Sequence, residues 1–79
     1  MEKQEIKEKI FNVMSLVLEV PPEEINEESS TDSIDNWDSL RHLNLVLGLE
    51  EEFDISIPDE EVGNMVNYKI IAHVITELV

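Results

Sequence analysis

Apolar residues in this chain recur three and four positions apart in three separate stretches, and no stretch alternates apolar and polar residues convincingly. That period belongs to helices with one buried face, so the chain is limited to helix-on-helix packing. Ile6, Ile10, Phe11, Met14, Val17 and Leu18 predict an amphipathic helix from about Lys3 to Leu18, which Pro21-Pro22 should end. In a second helix from about Ser39 to Phe53, Leu43, Val46, Leu49 and Phe53 share an apolar face that Leu45 and Leu47 widen. Arg41, Asn44, Gly48, Glu51 and Glu52 fall in a narrow polar wedge, with Leu40, Asn44, Leu47 and Glu51 as an accessible ridge at its edge. Pro58 suits the start of a short helical turn around Asp59 to Val62, which Gly63-Asn64 breaks. Ile70, Ile71, Val74, Ile75 and Leu78 mark a last helix from about Tyr68 to Leu78, with Asn67 as its N-cap. Between the first two helices lies a loop from Glu23 to Trp37, anchored only by Ile25 and Ile34, and a loop of that length is often functional. The expectation is an all-α small bundle of three main helices and one short one, forming a single domain over residues 1–79.

At 79 residues the chain supports one modest core and has little room for an enclosed catalytic cleft. It contains no cysteine, which excludes disulfides and thiolate metal sites. Five basic residues against nineteen acidic ones give a net charge of −14. That balance disfavours nucleic acid and anionic membranes as partners and steers basic proteins toward the chain. Met1-Glu2-Lys3-Gln4-Glu5 does not read as a secretory leader, and no apolar run approaches the roughly 20 residues of a membrane span, so the expected address is the cytoplasm.

The chemistry-bearing stretch is Asn36-Trp37-Asp38-Ser39-Leu40. Ser39 stands at the start of the second helix, where a serine is commonly just a cap. Asp35, Asn36 and Asp38 already offer capping groups, and the residues three positions beyond Asp38 and Ser39 are Arg41 and His42, not the acid or amide of a capping box. A phosphodiester on the Ser39 oxygen would instead sit at the positive end of the helix dipole, opposed slightly by Asp38. Cap and attachment point both remain open on these residues alone.

Three elements in order resemble the acyl carrier protein family. Asp38-Ser39-Leu40 is similar to its Asp-Ser-Leu attachment motif. Leu49-Glu50-Glu51-Glu52-Phe53-Asp54 is similar to the acidic close of its second helix, and Ile57-Pro58-Asp59-Glu60-Glu61 to the start of its third. The resemblance covers essentially the whole chain. It implies an acyl-carrier-like four-helix bundle in which Ser39 carries 4′-phosphopantetheine, donated by coenzyme A through a phosphopantetheinyl transferase. It also implies that Asp38 and Leu40 flank the attachment point, and that acyl groups ride as thioesters on the arm. The chain would not be an enzyme and would use no metal. It would act as a monomer presenting cargo to acyl-loading, acyl-modifying and acyl-transferring enzymes with basic docking patches, in fatty acid, polyketide or related specialised acyl metabolism.

The surroundings of the motif depart from carriers of primary fatty acid synthesis. Arg41 and Asn44 stand where those carriers have acids, and Trp37 where they have a small residue. Replacing an acid with Arg41 changes the local charge by two units, which should alter partner choice. The docking surface is expected to comprise Leu40, Arg41, Asn44, Leu47, Glu50 and Glu51, with Trp37 packing against the arm, an incoming enzyme or one end of the core. These departures point to a specialised carrier. Peptidyl carriers usually place Gly-Gly before the serine, where this chain has Trp37-Asp38; an aminoacyl or peptidyl cargo remains an alternative. A nucleophile set of Asp38, Ser39 and His42 lacks any visible oxyanion site. Asp32, Asp35 and Asp38, or Asp54 with Asp59-Glu60-Glu61, do not match a calcium loop. The remaining rival is an acidic helical interaction module without a prosthetic group, in which Ser39 only caps.

Overall fold

The computed structural model describes residues 2–79. Helix α1 spans Lys3–Leu18, α2 Ser39–Phe53, α3 Asp59–Val62 and α4 Tyr68–Leu78, and no strand forms among the described residues. The architecture is the expected all-α bundle, with bounds where apolar periodicity and turn residues place them.

Helix α1 buries Ile6, Ile10, Val13, Met14 and Leu18. It ends before the prolines, not at them. Glu19 takes a left-handed conformation (φ 56°) and its N–H donates to the Ser15 carbonyl. The Ser15 hydroxyl then donates to the Val20 carbonyl at 2.7 Å. Such a left-handed cap satisfies carbonyls that the helix cannot. Pro22 opens a separate 3-10 turn, Pro22–Glu24, instead.

The long loop is not loose. Ile25 and Ile34 are buried as anchors. Ser29 is buried too, and its hydroxyl accepts the Asn26 N–H at 2.9 Å. Tyr68 N–H donates to the Ser29 carbonyl at 2.9 Å and Thr31 N–H to the Val66 carbonyl at 3.0 Å, so Ser30 and Asn67 face each other as an isolated antiparallel bridge. Farther along, the Asn36 amide donates to the Leu18 carbonyl at 3.1 Å, tying the loop's end to the C-terminus of α1.

Helix α2 buries Leu45, Val46, Leu49 and Phe53. This corrects the expected apolar face at two positions. Leu43 is 55% exposed whereas Leu45 is wholly buried. Gly48, expected in the polar wedge, lies in the crossing with α1: a Cβ there would stand 3.1 Å from Val13 Cγ1. The missing side chain lets the two backbones approach closely. Helix α4 packs Tyr68, Ile71, Val74 and Ile75 into the same core, and Asn67 caps it by accepting the Ile70 N–H at 2.8 Å. Helix α3 buries no residue, so it lies against this core without joining it.

Candidate functional site at the start of helix α2

Asp38 is the N-cap of α2, and its carboxylate accepts the Arg41 N–H at 2.8 Å. Ser39 is therefore the first residue inside the helix. Among the described residues its hydroxyl makes no hydrogen bond, and the side chain is exposed. The capping role thus falls to Asp38, and the Ser39 hydroxyl is left exposed and without a partner among the described residues. The cap leaves the first amides of the helix without intrahelical acceptors, where the dipole favours an anion.

A mainly apolar cleft of about 330 Å³ opens beside Ser39, between the end of the long loop, α2 and the α3–α4 connector. Trp37, His42, Leu43 and Val66 line it. Of the places open to Trp37, the structure gives it the core and not the docking surface: its indole is only 5% exposed. A large aromatic ring in a small domain gains more from burial than from display. Its Nε1–H donates to His42 Nδ1 at 3.0 Å, and the rings lie 6.1 Å apart and nearly parallel. His42 Nε2 is 2.7 Å from the Val62 carbonyl oxygen. An indole N–H only donates and a carbonyl only accepts. The ring is therefore neutral, with its proton on Nε2, and joins the first turn of α2 to the end of α3.

A second apolar cleft of about 470 Å³ runs between α2 and α3, lined by Leu43, Val46, Leu47, Glu50, Ile57, Asp59 and Val62. Glu50, expected on the docking surface, has a structural task here: its carboxylate accepts the Ile57 N–H at 2.6 Å and ties α2 to the connector before α3. Nothing in the composition of an acidic run distinguishes the one carboxylate that turns inward, so only the fold reveals it.

The expected ridge is exposed. Leu40 is 68% and Leu47 61% accessible, and Asn44 and Glu51 are exposed beside them. Arg41 is not a free cation. Its guanidinium lies 2.6 Å from a Glu19 oxygen and 3.6 Å from an Asp38 oxygen. The hydrogen bond to Glu19 holds Arg41 above its ordinary pKa, with the charges of Glu19 and Asp38 adding to it against some loss from desolvation. The cation is thus presented to a partner as part of a cluster with two carboxylates and not as a lone charge. Among the described residues no cluster of three or more His, Asp or Glu side chains is arranged to hold a metal ion, and no helix is long and apolar enough to cross a membrane.

No family model matches the chain. Individual relatives do. It is 40% identical to an acyl carrier protein of Thermosynechococcus vestitus, over 82% of this chain and 80% of that one. It is 43% identical to an acyl carrier protein of Clostridium acetobutylicum, over 77% of this chain and 87% of the relative. The chain belongs to the acyl carrier protein family. Proteins of this family are carriers and not enzymes; the role of this carrier therefore lies in acyl metabolism, alongside enzymes that handle acyl groups. Carriers of this family generally hold a phosphopantetheine group.

Proposed function

We propose that this carrier bears 4′-phosphopantetheine on Ser39 and presents acyl groups from it to partner enzymes. The observation that carries the reading is the unbonded, exposed Ser39 hydroxyl beside an apolar cleft, with the capping duty already discharged by Asp38. When attached, the arm supplies a terminal thiol that holds cargo as a thioester, chemistry that a chain without cysteine lacks. The protein's own residues hold and orient. Asp38 keeps the first turn wound, the amides at the start of α2 would hold the phosphodiester, and Leu43 with Val66 would give the arm an apolar wall. The α2–α3 cleft, lined by Val46, Leu47 and Ile57, provides apolar shelter for cargo. Leu40, Asn44, Leu47 and Glu51 form the docking ridge, with Arg41 presented as a paired charge. Partners with basic patches meet the acidic distal half of α2. Those that require an acid directly after Leu40 do not, which favours a specialised pathway over primary fatty acid synthesis.

Intact mass after incubation with coenzyme A and a permissive phosphopantetheinyl transferase tests the attachment. One added phosphopantetheine is expected, and none on Ser39→Ala. An unmodified wild-type chain beside a modified control carrier would favour the acidic interaction module instead. Replacing the housekeeping carrier in reconstituted fatty acid synthesis at undiminished rate would sink the specialised assignment.

A further inference from the structure

The α1 side of α2 carries a groove that the site at Ser39 does not use. Its volume is about 410 Å³, and Val13, Leu16, Val17, Gly48, Glu51 and Glu52 line it. Gly48 supplies a floor without a side chain, and Leu16 forms one wall at 81% exposure, the highest of any large apolar residue among those described. A single exposed leucine is ordinary. Here it stands over a built concavity. Two ion pairs between the helices bracket the groove: Arg41–Glu19 at one end and Lys9–Glu52 at the other, so α1 and α2 run antiparallel along it. These pairs engage both cations that approach it. The other three of the chain's five, Lys3, Lys7 and Lys69, line a separate groove between α1 and α4. Glu51 has no ion-pair partner among the described residues and is exposed at the rim.

We propose that this groove is a docking site for a basic amphipathic helix of a partner protein, one apolar side chain of which seats over Gly48 against Leu16 while its cations face Glu51. Two antiparallel helices receive a third by fitting its ridge into their groove, and such helices are read through apolar anchors three and four residues apart. Charge decides among occupants. A second copy would bring another net charge of −14, and an anionic membrane is repelled in the same way. A basic helix is steered in. The cleft beside Ser39 opens toward the α3–α4 connector, on the other side of α2, so a partner seated over Gly48 leaves it uncovered. The groove thus suits a protein that holds this chain while another works at Ser39.

The test is fluorescence anisotropy of a labelled helical peptide with leucines along one face and lysines elsewhere, titrated with the protein at about 0.15 M salt. Leu16→Ala changes an exposed position and leaves the core intact. It should weaken binding about tenfold, as truncation of a central apolar anchor does. Glu51→Gln should weaken it about threefold, and by less as salt rises. In NMR spectra of the protein, the peptide should shift the amides of Leu16, Val17 and Gly48 most. Docking in the groove is overturned if Leu16→Ala binds like wild type, or if Leu47→Ala weakens binding more than Leu16→Ala does, which would seat the helix on the ridge. It is equally overturned if a peptide with glutamine in place of every leucine binds as tightly, since net charge alone would then explain the attraction.

Discussion

At the residue scale, neighbouring side chains with similar helix-start chemistry have been given different work. Asp38 accepts an amide hydrogen of α2, whereas Ser39, one residue on, accepts none among the described residues. Removing a cap costs about 1 kcal/mol, and removing an unbonded surface hydroxyl costs almost nothing. Thermal or urea denaturation of the unmodified protein should therefore show Asp38→Ala less stable by about 1 kcal/mol and Ser39→Ala within about 0.5 kcal/mol of wild type. Equal losses in the two variants would mean that Ser39 caps after all. The identity of the cap was only partly legible in the sequence, since Asp35, Asn36 and Asp38 are all competent. Asn36 turns out to serve the other helix, bonding the Leu18 carbonyl. Spacing along the chain cannot reveal that, because the partner lies in a different element.

At the scale of elements, α2 shows where periodicity stops being informative. Its apolar residues run around most of the helix, so the angular pattern specifies a helix but leaves open which side the neighbours cover. The answer comes from α1, which approaches over Gly48 and brings Leu45 inward while Leu43 stays at the lip of both clefts. Two leucines only two positions apart should therefore differ sharply. Leu45→Ala, at a fully buried site, should cost about 2–5 kcal/mol. Leu43→Ala should cost well under that, and an equal loss by chemical denaturation would contradict the described packing. The other element bounds were legible because punctuation and periodicity agree: Asn67 caps α4, and Pro58 precedes α3. The bonds of the long loop to Val66 and Tyr68 were not, since they are main-chain contacts carrying no side-chain signature.

At the scale of the whole molecule, a net charge of −14 is confined within 28 × 26 × 18 Å. At about 0.01 M salt the screening length is about 30 Å, so charges across the whole molecule repel one another; at 0.15 M it is about 8 Å and only neighbours do. The ion pairs offset little of this, because Lys7–Glu27, Lys9–Glu52 and Lys69–Glu28 are at the surface. Tm should rise with sodium chloride across that range, and a flat or falling Tm would contradict self-repulsion as a limit on stability. Alkaline pH acts through Tyr68. Burial raises its hydroxyl pKa above the ordinary phenol value, and the charge of Glu27 adds to the rise. The unfolded chain thus gives up this proton first, so the contribution of Tyr68 is intact below about pH 10 and is lost as pH climbs from there through the folded value. Tyr68→Phe should flatten the fall in stability above pH 10, as read by denaturation at a series of pH values.

The antiparallel contact of Ser29 and Thr31 with Tyr68 and Val66 joins two parts of the chain that are far apart in sequence. Closing so large a loop is entropically expensive and comes after local helix formation, so the contact should mature late in folding. Substitution of Ser29, whose hydroxyl shapes the loop that makes this contact, should accordingly speed unfolding while leaving the folding rate nearly unchanged. A nascent or damaged chain would then have its helices before it has the shaped approach to Ser39. If Ser39 is the attachment point proposed above, an enzyme that recognises that approach would find it complete only on molecules whose folding is finished, and assembly itself would act as a checkpoint for maturation.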